Sequence, residues 1–279
     1  MNAWQAYRSL NAEQRQILKA GVIDTKKSPD DLIKLLTPIA SYDQALGGWR
    51  ATFGGLAVLA LVGVVATLIF SGPAPLRLGL AGLTMGFAFL WWWTKGLDVS
   101  DNLRDAALPV LKLLKEDFAR RRQVHARLDL RLPTHKSKSQ GKSAPFAHGN
   151  YHHVVEEIFL DPWMSVEATL NDGAHLAFRV VDSTRVRSRR KRSISGKTKF
   201  NSQKSKKTSI EVQLAVRRKA FDIVPGAGAE IKSNEKRHVV SLHRKIQGEA
   251  LDPVSPTAII DLVADAYRNV RPAGAEARV

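Results

Sequence analysis

Two long uncharged stretches near the start of the chain limit its possible folds more than any other feature. The run from Ala51 to Phe70 contains no Asp, Glu, Lys or Arg, and a helix of that length crosses about 30 Å of hydrocarbon. A second apolar run extends from Leu78 to Thr94, after a break that contains glycine and proline. Neither run has the polar stripe of a helix that packs on a soluble core. The sequence therefore predicts a transmembrane helical hairpin within residues 49–95, with spans at about 51–70 and 78–94.

The residues that flank the two runs predict how the hairpin lies in a membrane. Lys and Arg are frequent before the first run and after the second, whereas the connecting loop has only Arg77. The positive-inside rule therefore predicts a multi-pass protein of the cell inner (plasma) membrane with both termini in the cytoplasm. Tryptophans and cations typical of a membrane interface stand at the predicted cytoplasmic ends of the runs: Trp49, Arg50, Trp91, Trp92, Trp93 and Lys95.

Glycines in the two runs indicate where helices can approach closely. Gly82 and Gly86 form a Gly-x-x-x-Gly pattern, and Gly63 and Gly79 add further small surfaces. Such a pattern lets helix backbones pack closely, either within the hairpin or between protomers of an oligomer. We expect these glycines to serve the packing of the hairpin itself.

The segments on either side of the hairpin are expected to be helical. Residues 1–48 are predicted to be an N-terminal cytoplasmic segment of short helices, with a start at Ser28-Pro29 and a break at Gly47-Gly48. Residues 97–127 are predicted to be a juxtamembrane amphipathic helix with a kink at Pro109. Its apolar face packs on the soluble domain or on another protomer, and consists of Leu103, Ala107, Val110, Leu111, Leu114 and Phe118.

Beyond these helices the pattern changes from helical to extended. Residues 135–150 are rich in Lys, Ser and Gly and are predicted to be a mobile cationic linker. Residues 151–270 contain alternating apolar and polar runs, a turn signal at Asn171-Asp172-Gly173 and a final helix starting at Ser255-Pro256. A disordered tail is predicted at 271–279. The predicted fold class is membrane-anchored α+β, in which the transmembrane hairpin is joined to a cytoplasmic antiparallel sheet domain with a long basic β-hairpin and a C-terminal helix.

The most unusual segment of the soluble domain is strongly basic. No Asp or Glu occurs from Ser183 to Ser209, and cations fall on both faces of the expected strands, so this segment cannot be core. We predict a long, projecting β-hairpin, with a solvated basic loop as the alternative. Phosphates would stabilise such a segment by neutralising it and releasing counterions. We call it the basic ribbon, and its predicted anion-binding residues are Arg185, Arg187, Arg189, Arg190, Lys191, Arg192, Lys197, Lys199, Lys204, Lys206 and Lys207.

Patterns typical of catalysis or metal binding are weak in this sequence. The chain has no cysteine, which excludes disulfides and thiolate metal sites. Gly196-Lys197-Thr198 resembles the end of a phosphate-binding loop, but the first glycine of that motif would fall at Lys191. His153 and Glu157 could share a helix face, yet two such residues do not make a metal site. We therefore expect a non-enzymatic protein that needs no cofactor or metal.

These features lead to three functional hypotheses. The first is a membrane-tethered interaction protein whose basic ribbon binds an anionic partner, with nucleic acid preferred, in keeping with a formal net charge of +17. The second is a structural or effector subunit that oligomerises in the membrane, while the ribbon grips anionic lipid or a neighbouring subunit. The third is a sensor of a small anionic ligand. The expected partners are accordingly the phospholipid membrane, nucleic acid or another polyanion, and a protein partner or second copy of the chain.

Overall fold

The chain forms two compact units. In this computed structural model one unit comprises Met1–Leu18 and Leu36–Val99, and the other comprises Lys19–Leu35 and Ser100–Val279. The described residues are 3–71, 73–94, 99–120, 122–149, 151–192, 198–224, 226, 228–248 and 253–273, with only the backbone described at 152, 191–192, 198–199 and 248.

The first unit is helical. Helices α1 (Ala3–Arg8) and α2 (Ala12–Ala20) come first, and α3 (Pro29–Ile69) and α4 (Ala74–Thr94) follow. Helix α2 starts at a reciprocal cap, because the Gln14 backbone N–H donates to Asn11 Oδ1 and the Asn11 backbone N–H donates to Gln14 Oε1. Helix α1 packs on α3 through a small buried cluster of Ala3, Ala6, Leu10, Tyr42 and Leu46.

Helix α3 is a single helix of 41 residues. It begins at the predicted cap, where Ser28 Oγ accepts a 3.2 Å hydrogen bond from the backbone N–H of Asp31. The predicted break at Gly47-Gly48 is wrong, because the helix continues through both glycines. A glycine costs a helix only about 1 kcal/mol relative to alanine, and the long apolar run that follows keeps the helical conformation favourable.

The prediction of two long apolar helices is confirmed. Helices α3 and α4 each contain a stretch that is long and apolar enough to cross a membrane, and almost no side chain in those stretches is buried. Large apolar side chains such as Leu59, Phe70 and Trp92 are exposed along them. Helix α4 begins at Ala74, before the predicted start at 78, so Arg77 lies in its first turn.

An antiparallel sheet dominates the second unit. Nine strands form one sheet in the order β1-β2-β5-β6-β7-β10-β9, and β3 and β4 both pair with β5. A separate pair is formed by β11 and β8. The strands are β1 (Val22–Lys27), β2 (Val124–Asp129), β3 (Ser139–Lys142), β4 (Phe146–His148), β5 (Tyr151–Thr169), β6 (His175–Arg192), β7 (Thr198–Arg217), β8 (Phe221–Ile223), β9 (Glu230–Ser233), β10 (Arg237–Gly248) and β11 (Val270–Pro272).

One face of the nine-stranded sheet forms the core of this unit. Strand alternation places Met164, Val180 and Ile210 directly opposite one another on that face, and all three are fully buried. Helix α6 (Pro256–Arg268) contacts β7 and β10, and it also packs on α5 (Leu108–Leu114) and on the π-helical turn Leu103–Ala107 before it. The chain therefore combines helices with an antiparallel sheet, as predicted.

Two strands at one side of the sheet lie in segments that were predicted to be helical. Strand β1 falls within residues 1–48, and β2 falls within the predicted juxtamembrane helix at 97–127, whose helical part ends at Leu114. Strand β2 is extended because Val124, Ala126 and Leu128 alternate onto the buried face, while its backbone pairs with β1 and β5.

The predicted linker at 135–150 is also structured. Lys136–Lys138 form a 3₁₀ turn, and β3 and β4 pair with β5. This pairing supplies backbone hydrogen bonds that the polar composition did not indicate. The tail prediction fails at its start, because Arg271 and Pro272 belong to β11, and the rest of it at 274–279 lies outside the described residues.

Candidate functional site

The two halves of the basic ribbon pair as an antiparallel hairpin. Strands β6 and β7 stay in register from Arg192 opposite Thr198 to Arg185 opposite Ser205 and beyond. Residues 193–197, which include Lys197, lie outside the described part of the chain, and so do the side chains of Lys191, Arg192 and Lys199. The predicted hairpin pairing is thus confirmed for the described strands.

The prediction that this hairpin projects as a free two-stranded ribbon is wrong. Strand β5 runs along the other edge of β6, where Glu156 lies opposite Arg187 and Ile158 lies opposite Arg185. Strands β3 and β4 in turn pair with β5. Strand β5 reaches this far because the chain at Asp161-Pro162-Trp163 does not turn but forms a bulge within a 19-residue strand. His153 and Glu157 therefore lie in a strand and not on a helix.

Strand alternation sorts the cations of the ribbon onto two faces. Arg185, Arg187 and Arg189 are spaced two residues apart on β6 and share one face. Lys207 is directly opposite Ser183 and therefore lies on this same face. We call these four residues the arginine face. The described cations on the other face are Arg190, Lys204 and Lys206.

A carboxylate from β5 partly neutralises the arginine face. The Arg187 guanidinium donates from Nε to Glu156 Oε1 at 2.6 Å, and Arg185 Nε lies 3.9 Å from Glu156 Oε2. The ribbon sequence itself contains no acid, so this pairing could not be read from it. Glu156 holds Arg187 in place and leaves Arg185 and Lys207 exposed to solvent.

Arg189 is oriented by neighbours on two strands. Its Nη2 donates to Gln203 Oε1 at 2.7 Å, and its guanidinium carbon lies 5.3 Å from the centre of the Tyr151 ring. On the other face, the Arg190 guanidinium carbon lies 5.8 Å from the centre of the Phe200 ring, which is 79% exposed. The arginines are therefore held in defined positions on the sheet.

Lys206 is not available to an anionic partner, contrary to its prediction as a binding residue. Its ammonium is buried 3.3 Å from Asp182 Oδ2, and Thr208 Oγ1 donates to Asp182 Oδ1 at 2.6 Å. Lys206 follows the alternation of β7 onto the core face, opposite Thr184. The spacing of apolar residues did not reveal this, because the inward positions here are polar.

A second buried ion pair lies under the bulge of β5. Lys138 Nζ is 2.8 Å from Asp161 Oδ1 and 3.3 Å from Asp129 Oδ1. Burial raises the pKa of Asp161 to about 6, although Lys138 opposes that rise, and the charges of Asp129 and Asp182 add to it. Lys138 was predicted to lie in a mobile linker, and no sequence pattern singled it out.

The glycines of the two apolar helices play different parts. A Cβ atom on Gly63 would come within 3.3 Å of Leu80 Cδ1, so Gly63 lies where α3 and α4 meet. A Cβ atom on Gly79, Gly82 or Gly86 would meet nothing within 4 Å. The expectation that the Gly-x-x-x-Gly pattern packs the hairpin is therefore wrong, because an added Cβ on these glycines would touch no atom of α3.

The residues predicted to lie at a membrane interface are largely exposed. Trp92 and Trp93 are more than half exposed, and Trp91 is 39% exposed. Trp49 and Arg50 are half-buried on α3. The Trp49 ring packs edge-on against the Phe53 ring, with 5.6 Å between the ring centres. Lys95 lies outside the described residues.

The described residues contain no group of three or more His, Cys, Asp or Glu side chains placed to hold a metal ion. Comparisons with protein-family models, with curated proteins and with solved structures find no match to this chain.

Proposed function

We propose that this chain is a membrane-anchored, non-enzymatic binding protein whose arginine face holds a polyanion, with nucleic acid as the preferred partner. The observation that carries the proposal is the row of Arg185, Arg187 and Arg189 on one face of β6, with Lys207 beside it on β7. Glu156 is the acid that offsets part of this charge, so the arginine face keeps a positive excess.

The spacing of the row favours a linear polyanion. Side chains two residues apart on a strand are separated by about 6.8 Å. Each strand of a nucleic-acid helix carries one phosphate per about 3.4 Å of helix axis. Neighbouring cations of the row are therefore about as far apart as every second phosphate along that axis. A nucleic-acid backbone can therefore contact several of these cations at once with phosphates that are already joined in one chain, whereas each headgroup or small anion has to bind separately.

The width of the sheet at the basic ribbon, which we call the arm, favours binding without sequence specificity. The arm contains β3 or β4, β5, β6 and β7 side by side, which makes the outer strands about 14 Å apart. A DNA major groove is about 12 Å wide and admits a two-stranded ribbon, so this arm is too broad to enter it. Contacts to phosphates then dominate, and these carry no sequence information.

The salt dependence of binding tests this proposal. The detergent-solubilised full chain is titrated into a labelled single-stranded RNA at about 50 to 200 mM salt, and anisotropy gives the affinity. Replacing Arg185 and Lys207 together by Gln should weaken binding and reduce the magnitude of the log–log salt slope by about 1.4, since each lost phosphate contact contributes about 0.7.

The matched control replaces Arg190 and Lys204, two exposed cations of the other face, by Gln. This pair should leave the salt slope almost unchanged. Equal losses in both double variants would overturn the assignment to the arginine face. Absence of salt-sensitive binding by the unmodified chain, to RNA and to duplex DNA, would overturn nucleic acid as the partner.

We also propose that α3 and α4 cross the cell inner membrane as a hairpin with both termini in the cytoplasm. The apolar exposure of the two helices and the excess of Lys and Arg outside the hairpin support this arrangement. The chain has no cysteine, so a single introduced cysteine is a clean reporter. Ser71→Cys should react with a membrane-impermeant maleimide in intact cells, and Ser255→Cys only after lysis; the reverse pattern would overturn the orientation.

A further inference from the structure

A polar cleft on the uncovered face of the sheet is separate from the arginine face. It has a volume of about 510 Å³ and lies where β1, β2, β5 and β6 run side by side. One row of its floor is Lys26, His125 and Glu167, which are directly opposite one another on three neighbouring strands. The next row pairs Thr169 with His175.

The segment that closes one side of the cleft is fixed to the end of β5. Phe118 forms a bridge with Leu170, and the Ala119 backbone N–H donates to Thr169 O at 2.9 Å. The Arg122 backbone N–H then donates to Ala119 O at 2.9 Å, and the side chains of Arg122 and Gln123 line the cleft. These hydrogen bonds thus hold the backbone of Arg122 beside the two rows of the floor.

At this cleft His125 already has carboxylate neighbours, whereas, within the described part of the chain, Arg122, Lys26 and His175 do not. His125 Nε2 lies 2.8 Å from Asp24 Oδ1, and His125 Nδ1 lies 3.9 Å from Glu167 Oε2. Among the described residues, the side chains of Arg122 and His175 have no hydrogen bond or ion pair, and Lys26 is within ion-pair distance of no carboxylate. The cleft therefore offers unused hydrogen-bond donors around a space that a small molecule can fill.

We propose that this cleft binds a small phosphate monoester, with the phosphate held by Arg122 and His175 near Thr169 and with Lys26 at the opposite end of the cleft. Guanidinium and ammonium groups make strong charge-assisted hydrogen bonds to phosphate oxygens, and Arg does so with two parallel bonds. The Gln123 amide and the Thr169 hydroxyl supply further donors, and Glu167 accepts a hydrogen bond from a hydroxyl of the ligand. The volume lies within the range of sites for small ligands and exceeds the needs of inorganic phosphate alone.

This inference is independent of the proposed polyanion binding, because it uses no residue of the ribbon. The same phosphate monoester chemistry occurs in soluble sugar phosphates and in a lipid such as phosphatidic acid. The test therefore has two arms. Glycerol 3-phosphate is titrated calorimetrically into the full chain in neutral-lipid nanodiscs, and its affinity is compared with that in nanodiscs containing phosphatidic acid.

Saturable binding of glycerol 3-phosphate in neutral nanodiscs, with glycerol giving no heat, is the expected result. Arg122→Gln should weaken it about tenfold, the usual effect of losing one charge-assisted hydrogen bond. Loss of apparent affinity in phosphatidic acid nanodiscs would identify a lipid as a competing source of the same group. That result would still support the site if Arg122→Gln abolished the competition between phosphatidic acid and glycerol 3-phosphate.

Two control variants make the proposal falsifiable. Arg127 is an exposed cation on β2, one row away on the same face and outside the cleft, so Arg127→Gln should bind as tightly as the unmodified chain. The Arg185→Gln, Lys207→Gln double variant should also bind normally, even where nucleic-acid binding is lost. Absence of saturation in both nanodisc types, or an equal loss from Arg127→Gln and Arg122→Gln, would overturn the phosphate site.

Discussion

The ammonium of Lys138 lies 2.8 Å from the carboxylate of Asp161, and both side chains are buried. Lys138 ends the 3₁₀ turn before β3, and Asp161 begins the bulge in the middle of β5. Lys138 also donates to Arg131 O at 2.8 Å, so the buried ammonium has a carbonyl partner besides its carboxylates. The ion pair therefore links the segment before β3 to the middle of β5 in the sheet.

Replacing Lys138 by Gln should lower the free energy of unfolding by about 3–5 kcal/mol, because the negative charge of Asp161 stays buried without its partner. Lys136 is exposed two residues earlier in the same turn, and Lys136→Gln should change stability by less than about 0.5 kcal/mol. Thermal unfolding in detergent, followed by near-ultraviolet circular dichroism from buried Trp163, measures both variants. Equal stabilities would show that the buried pair is dispensable.

The raised pKa of Asp161 predicts how stability changes with pH. The folded state holds a proton on Asp161 up to a pH of about 6, whereas the unfolded chain releases it near 3.8. The folded state thus binds more protons in this window, and the contribution of Asp161 to stability falls as pH rises from about 4 to about 6. It stays constant above that window.

The variant Asp161→Asn should remove this dependence. The free energy of unfolding of this variant, measured relative to that of the unmodified chain, should rise by on the order of 2 kcal/mol from pH 4 to pH 7. The reason is that a shift of one pKa unit corresponds to about 1.4 kcal/mol. Denaturant unfolding at a series of pH values measures the difference between the two profiles. Parallel profiles would mean that Asp161 is ionised in the folded state throughout the window.

Lys206 and Lys207 are adjacent in sequence but should give opposite results. Lys206 is buried against Asp182, so Lys206→Gln should cost about 3–5 kcal/mol of stability. Lys207 is exposed on the arginine face, so Lys207→Gln should leave stability within about 0.5 kcal/mol and weaken RNA binding. Unfolding and anisotropy measurements on both variants decide the matter, and a stable Lys206→Gln variant with weakened binding would contradict this division.

The apolar pattern of the sequence was sufficient to predict the parts of the fold that depend on burial of apolar side chains. The two apolar helices, the strands around Phe178 and Val212, and the start of α6 at Pro256 all follow from periodicity and local turn or cap signals. These signals are local, so a single sequence carries them. The same reasoning correctly indicated that β6 and β7 pair.

Three of the errors have a common physical origin in contacts between distant polar residues. Lys138 and Asp161 form an ion pair at a buried position where an apolar contact is usual, and so do Lys206 and Asp182. Predictions from the pattern of hydrophobic residues place such lysines in solvent. Lys138 was therefore predicted to lie in a linker, and Lys206 was predicted to lie in a binding site. Glu156, which pairs with Arg187, is likewise brought to the ribbon by β5 and not by proximity in the sequence.

The two kinds of glycine position in the apolar helices give a last matched test. Gly63→Leu would force a side chain into Leu80 and should cost about 1–3 kcal/mol through overpacking of α3 against α4. Gly82→Leu enters open space, and leucine is the better helix former, so this variant should be as stable as the unmodified chain or slightly more so. Thermal unfolding of the detergent-solubilised chain by far-ultraviolet circular dichroism measures both. A loss of stability in Gly82→Leu, accompanied by a smaller particle in light scattering, would instead place Gly82 in a contact between two copies of the chain.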